Sequence, residues 1–439
     1  MAGITHYEKT FGELEPVLSG TGPDWLHDMR RRALASFKEQ GFPGLRNEDW
    51  RGTRIKPIAD KAFVPVTEYR AGSFPVDELR RRTFSDQDCR RIVVVDGHFS
   101  PELSSVCDVP EGVILTSLVR AVADMPELVQ PHLGRIVSTD DAPFVALNTA
   151  FISDGAFIYI ADNVEVPDPI HVAFVSTRPD SVTHPRMLVV AGTNARATIV
   201  ESYIGTGSGY FTNTVSEIVC GENADVAHCK LQREDKTAFH IATQEATLAS
   251  NSRFATENVS IGGALVRNDV NSYLGGEGID CRVDGLYLAG ERQHVDNHTF
   301  IRHAKPHCHS FELYKGILNG RARGVFNGKI YVDQDAQKTD AKQSNSCILL
   351  SDTARINTQP QLEIFADDVK CTHGATVGQL DEEAVFYLRT RGIPVAEARN
   401  ILVYAFAAEL LERITVDSIR NRLEADLFEW LEAYYAQEA

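Results

Sequence analysis

Gly192-Thr193-Asn194-Ala195-Arg196, Gly221-Glu222-Asn223-Ala224-Asp225, Ser250-Asn251-Ser252-Arg253 and Gly276-Glu277-Gly278-Ile279-Asp280 recur along the middle of this chain, each a turn running into a strand-like segment. Their third-position anchors Asn194, Asn223, Asn251 and Gly278, with Asn251 aligned by eye, follow one another at 29, 28 and 27 residues. A regular interval in the range of 20–50 residues is the signature of stacked repeats. The intervening residues show β-like runs and almost no helical period, so the repeat predicts a β-solenoid. Other runs extend the pattern on the N-terminal side: Arg91-Ile92-Val93-Val94-Val95, Ala156-Phe157-Ile158-Tyr159-Ile160, Arg186-Met187-Leu188-Val189-Val190 and Ala197-Thr198-Ile199-Val200. Ankyrin or leucine-rich repeats would bring helices or a Leu/Asn signature, and neither is present. A single β-sandwich stays open as an alternative, although residues 91–375 would be long for one.

The flanks read differently. In residues 1–90, Asp24 to Glu39 carries Leu26, Met29, Ala33 and Phe37 at helical spacing, with Asp24 placed to cap it and Gly41-Phe42-Pro43-Gly44 to stop it. The remainder of that segment reads as turn-rich, a small mixed appendage. From residue 379 onward the pattern is helical. Asp381 is the expected cap of a first helix, with Glu382 and Glu383 in its first turn and Gly392 and Pro394 beyond its end. A second helix carries Leu402, Phe406, Leu410 and Ile414 in a ladder that Val403, Ala407 and Leu411 widen, and a third carries Ile419, Leu423, Leu427 and Leu431. Faces this broad either bury against the parent fold or dock another protein. The expected organisation is thus 1–90 N-terminal helical and mixed, 91–378 solenoid core, and 379–439 C-terminal helical.

The 439-residue chain is long enough for a large core, and its net charge of −17 argues against a nucleic-acid partner, since phosphate binding needs a basic face. No apolar run approaches the ~20 residues needed to cross a bilayer. The N-terminal residues show no basic and apolar leader, so a cytoplasmic protein is expected. Eight cysteines, from Cys89 to Cys371, form no CxxC pair and read as reduced thiols.

Chemistry-bearing residues concentrate in Lys370-Cys371-Thr372-His373-Gly374-Ala375-Thr376-Val377-Gly378-Gln379-Leu380-Asp381. On a strand, Cys371 and His373 share a face and present a thiol beside an imidazole, two ligand types that transition metals favour. On spacing alone, two side chains filling a crowded bend is the preferred reading. A second cluster, His294, His298, His303, His307, Cys308 and His309, fits no standard metal spacing and is compatible with turn structure around Pro306. Gly324-Val325-Phe326-Asn327-Gly328-Lys329-Ile330 fails as a P-loop, and Gly205-Thr206-Gly207-Ser208-Gly209 fails as a dinucleotide fingerprint. Any ATP in the system would therefore be bound by another subunit.

Three segments resemble a known family. Asp368 to Asp381 continuing through Glu382-Glu383-Ala384-Val385-Phe386-Tyr387-Leu388-Arg389-Thr390-Arg391-Gly392-Ile393 is one. Asn47-Glu48-Asp49-Trp50 followed by Lys56-Pro57-Ile58 is another. The third joins Leu313-Tyr314-Lys315-Gly316, Arg323-Gly324-Val325-Phe326-Asn327-Gly328-Lys329-Ile330-Tyr331 and Asp335-Ala336-Gln337-Lys338-Thr339-Asp340-Ala341. Together they resemble the SufB/SufD family of SUF iron–sulfur cluster assembly scaffolds, on its SufD side. Gly374 stands where SufB has a glutamate, and the cluster-building cysteine of SufB aligns nearer Asn345 than Cys347.

The resemblance implies a right-handed parallel β-helix core and a non-enzymatic scaffold. It also implies a SufB-like sister subunit, a SufC-like ABC ATPase docked on the C-terminal helices, and a homodimer where the sister is missing. By the same resemblance His373 is a candidate iron ligand facing the sister subunit, with Cys371 as a second. Iron or an iron–sulfur cluster would then be held transiently at that interface, with no cofactor bound tightly by the chain alone. Leu402, Phe406, Leu410, Leu411 and Ile414 become candidates for docking the ATPase or supporting the helix that does. Two other functions stay open on the residues: a β-helical carbohydrate-active enzyme using Asp284, Asp333 and Asp335, and a stand-alone metal-binding protein using His294–His309.

Overall fold

The computed structural model describes residues 2–20, 22–84 and 90–438; Cys89 lies outside them. From Gly155 onward the backbone winds so that successive strands fall alternately into two stacked sheets. Arg196–Gly205 joins one sheet, Phe211–Cys220 the other, Asp225–Arg233 the first again, and so on to Arg355–Ile364 and Lys370–Gly378. Among the described residues the sheets hold 11 and 10 strands. Within the solenoid, neighbours in each sheet are parallel and in register: Arg196, Asp225, Arg253, Asp280, His309, Asp340 and Lys370 form one row.

Each coil turns at a left-handed residue just before that row. Asn194, Asn223, Asn251 and Gly278 have φ of 56°, 56°, 58° and 68°, and the series continues at His307 (60°) and Lys338 (62°). Asparagine and glycine enter this region at least cost, which is why they mark the repeat in the sequence. His307 and Lys338 take the same backbone position without that chemical mark, so the repeat fades there to the eye.

Inward-facing residues of both sheets form one apolar core running from Ile92 and Val94 through Ile199, Phe254 and Val283 to Phe326 and Val332. The N-terminal helices lie against an outer face of this solenoid. Asp24–Gln40 begins at Asp24 itself, and its cap position is Pro23 with no side-chain cap, so Asp24 serves as a first-turn carboxylate and not as the capping residue expected. A helix missed by the turn-rich reading, Ala2–Ser19, precedes it. Tyr7, Phe11, Ala33 and Phe37 of the two helices pack with Phe211, Ile241 and Leu265 of the solenoid. Three short helices, Leu118–Asp124, Pro126–Val129 and Pro143–Ala150, also interrupt the β-pattern. All eight residues of Pro143–Ala150 are buried, so it carries no one-sided apolar stripe for a sequence pattern to detect.

At the other end, Asp381 caps Glu382–Thr390 by accepting hydrogen bonds from the amides of Glu383 and Ala384. Two longer helices follow, Val395–Leu411 and Asp417–Glu438. Val403, Ala407, Leu410, Leu411, Ile414, Leu423 and Leu427 bury against Val200, Leu231, Leu286, Leu313 and Ile317 on the outer face of the 10-stranded sheet. Burial of each large aliphatic side chain is worth about 1.5–3 kcal/mol, so this seam holds the helical tail to the solenoid.

Candidate functional site at the open end of the solenoid

Cys371 and His373 sit on Lys370–Gly378, the outermost strand of its sheet. One edge of that strand pairs with Asp340–Leu349, and the other has no strand beside it. Arg355–Ile364 ends the second sheet in the same way. The solenoid therefore ends in two adjacent open strand edges, with the last coil exposed above its core. Lone strand edges of this kind are templates for pairing with another chain.

Strand alternation settles where the two side chains lie. Cys371 is in register with buried Ala341 and packs, half-buried, on the end of the inner core. His373 is in register with buried Gln343, faces the same way, and is exposed at the open mouth. Lys370 falls on the opposite face from Cys371. Burial pushes the Cys371 thiol above its ordinary value, with Asp340 adding to the effect. The pair thus presents one imidazole and one largely protonated thiol.

Beneath His373 the interior is polar. Gln343 Nε2 donates to Glu312 Oε2 at 2.9 Å, and Thr299 Oγ1, from the facing sheet, donates to Glu312 Oε1 at 2.6 Å. Burial holds the Glu312 carboxyl up at about 7. Asn345 donates to Thr358 across the sheets at 2.8 Å. Deeper still, Lys230 lies 2.9 Å from His240 and 2.7 Å from Asn268, and His228 lies 2.9 Å from Glu201, all of them buried. Burial lowers the Lys230 ammonium to about 8. None of these polar positions was singled out from the sequence. Stacking the repeats at their own interval would have revealed them, because inward columns that should be apolar carry Glu312, Gln343 and His373 one above the other.

The remaining candidates take ordinary structural places. Cys347 is buried between the sheets, 3.3 Å from the Tyr287 hydroxyl. His303 is buried and bonded to Ser310 at 2.9 Å, His294 meets Thr53 at 2.6 Å, and His298 pairs with Asp296 at 3.0 Å. His307 occupies a turn and His309 starts the next strand exposed, so the two do not share a strand face. Among the described residues no group of three or more His, Cys, Asp or Glu is arranged to hold a metal ion.

Asp284 is buried against Arg413 and Arg282, Asp333 pairs with Arg302, and Asp335 lies in a turn, so the three carboxylates line no common groove.

In the C-terminal helices, Leu410, Leu411 and Ile414 are buried in the seam while Leu402 and Phe406 are half-buried. The apolar residues left to solvent are others: Phe386 (65% exposed), Tyr387 (58%), Val395 (45%) and Ile401 (41%). They lie on the first two C-terminal helices. No helix among the described residues is long and apolar enough to cross a membrane.

Comparison with known proteins adds to this geometry. Residues 174–406 match the model of the SUF system FeS cluster assembly SufBD core domain, and residues 1–172 match the SufBD protein N-terminal region. An iron–sulfur cluster assembly SufBD family protein of Synechocystis is 35% identical over 422 residues, covering 93% of this chain and 92% of the relative. The iron–sulfur cluster assembly protein SufD of Escherichia coli is 31% identical over 431 residues, covering 97% of each chain. SufD of Bacillus subtilis is 28% identical over 429 residues, covering 95% of each.

Proposed function

This chain belongs to the SufBD family of the SUF iron–sulfur cluster assembly system, and from that premise we propose that it is a SufD-type, non-enzymatic scaffold subunit. Its role in iron–sulfur cluster biogenesis follows from the family. The finer reading is that the open end of the solenoid pairs with a SufB-like sister, and that the exposed C-terminal helices dock a SufC-like ATPase.

The observation that carries the proposal is the unpaired Lys370–Gly378 edge with Cys371 and His373 on it. Two ligands fall short of the four or more that iron takes, so a site built here is completed by another chain, by sulfide or by water. Neutral imidazole suits iron, and a thiol gives up its proton on binding the metal. The iron and sulfide are cargo here, assembled and passed on. ATP-driven movement of the ATPases reshapes the junction only if they bind one scaffold geometry more tightly than the other.

Phe386, Tyr387, Val395 and Ile401 support the docking assignment, because clustered apolar side chains on a soluble surface mark a contact site. Leu410, Leu411 and Ile414 then act by holding the docking helix to the solenoid. Co-purification with the sister and ATPase of the same organism tests this. The double variant Phe386→Asp/Tyr387→Asp is expected to lose the ATPase and keep the sister. Retention of the ATPase at wild-type stoichiometry would overturn the docking assignment.

A further inference from the structure

We infer that Gln343 is the orienting partner of His373: its side-chain oxygen accepts the N–H of one imidazole nitrogen and turns the other nitrogen's lone pair toward the open end. This rests on the proposed role of His373 as a ligand and supplies what that role lacks, a group that fixes the ring. Ligating histidines nearly always donate their second N–H to a carbonyl, carboxylate or water.

Four observations converge on Gln343. It is the in-register neighbour of His373 on the adjacent parallel strand, and both face the interior. Adjacent strands lie ~4.8 Å apart, which brings the tips of stacked side chains within reach of one another. The amide is already fixed at its other end. An ionised carboxylate only accepts, so it is the nitrogen of Gln343 that faces Glu312, at 2.9 Å, and the oxygen is the free end. That oxygen is buried and has no hydrogen-bond partner. Finally, the facing sheet makes room for the amide: a Cβ on Gly328 would lie 2.4 Å from Gln343 Nε2 and 2.9 Å from Thr299 Oγ1. His373 itself makes no hydrogen bond within the chain, so the unfilled acceptor and the unassigned donor stand in one column.

The chain of contacts Thr299, Glu312, Gln343 and His373 then behaves as a strut. Thr299 and Gln343 hold the carboxylate, the carboxylate holds the amide, and the amide selects one ring tautomer. Gln343 is a positioning residue in this scheme and touches no metal.

The test is the tautomer of His373 in the full chain labelled with ¹⁵N-histidine, read from two-bond ¹H–¹⁵N couplings, with the signal assigned by its loss in His373→Ala. A single fixed tautomer in the wild type is expected, and its collapse to tautomeric averaging in Gln343→Met, with the His228 and His303 signals unmoved as a check of the fold. An averaged ring in the wild type, or a fixed ring that survives Gln343→Met, would overturn the inference. Should Gln343→Met not fold, Gly328→Ala, which displaces the amide, is read instead with the same two outcomes. Ferrous iron added anaerobically to the complex with the sister subunit tests the underlying reading separately. Affinity about 10–100-fold weaker in Gln343→Met is expected. A His373 ring that is fixed by Gln343 but whose signals ignore iron would refute the ligand role while leaving the orientation intact.

Discussion

Replacing Arg413 by Met should loosen the C-terminal helices from the solenoid, and the size of the effect can be worked out from the contacts. Asp284 is buried on the outer face of the 10-stranded sheet, with its side chain 1% exposed. Arg413 Nη1 reaches its two oxygens at 3.1 and 3.3 Å, and Arg282 Nε approaches at 3.2 Å. The guanidinium of Arg413 also lies 4.8 Å from the Phe311 ring centre. Burial raises the Asp284 carboxyl above its ordinary range despite both arginines, so desolvation already exceeds the attraction. Methionine keeps the apolar stem and removes the charge. Breaking one side of a fully buried pair costs about 3–5 kcal/mol. Here Arg413 is 22% exposed and Arg282 remains, though it also serves Glu257 at 2.6 Å, so the expected cost is about 2 kcal/mol.

Amide hydrogen exchange over residues 395–411 is the assay. Protection there should fall about 30-fold, since each 1.4 kcal/mol is tenfold. The double variant Arg413→Met/Asp284→Leu should recover most of it, because no uncompensated charge is left behind. Protection within about threefold of wild type in the single variant would refute the reasoning. So would a double variant worse than the single.

Three further outcomes are expected. Gly316→Ala should lower stability by about 1–3 kcal/mol, seen as a lower urea midpoint, since a Cβ there would lie 2.3 Å from the buried Tyr287 ring. Asn223→Ala should cost about 1 kcal/mol and Asn223→Gly much less, measured the same way, because φ at this turn is 56°. Glu312 makes stability depend on pH. Its folded value of about 7 lies above the ordinary 4.5, so its contribution is fully present below 4.5 and is lost as pH rises through 7. The 2.5-unit difference corresponds to about 3 kcal/mol, and Glu312→Gln should flatten that part of the stability profile against pH.

Much of the fold could be read before the structure because the coil turns carry chemical marks. Asn194, Asn223, Asn251 and Gly278 announce themselves as residues suited to positive φ, and the β-runs at 91–95, 156–160, 186–190 and 197–200 are all strands. Asp381 was legible as a cap for the same reason: a short carboxylate before a run of helix formers has one obvious use. Elements that tertiary packing decides were not legible. Pro143–Ala150 is buried all round, and Ala2–Ser19 shows its apolar face only against the solenoid.

The histidine-rich stretch looked like a site because its members are close in sequence. Winding into a coil sends His303 inward, His307 into a turn and His309 outward. Conversely, Glu312, Gln343 and His373 are about 30 residues apart in sequence and adjacent in space, a relation that only the coil register reveals. Cys371 and His373 were found from alternation and resemblance. Their place on an unpaired edge was not, since pairing is a property of the whole sheet.

Iron–sulfur cluster output in cells whose SUF system depends on this chain, comparing wild type with His373→Ala, tests the central claim most directly. The complex with the sister subunit and the ATPase is purified from the same cultures. An intact complex with strongly reduced cluster output is the predicted result, because His373 lies exposed at the open end and carries no packing. Undiminished cluster output with an intact complex would contradict the account.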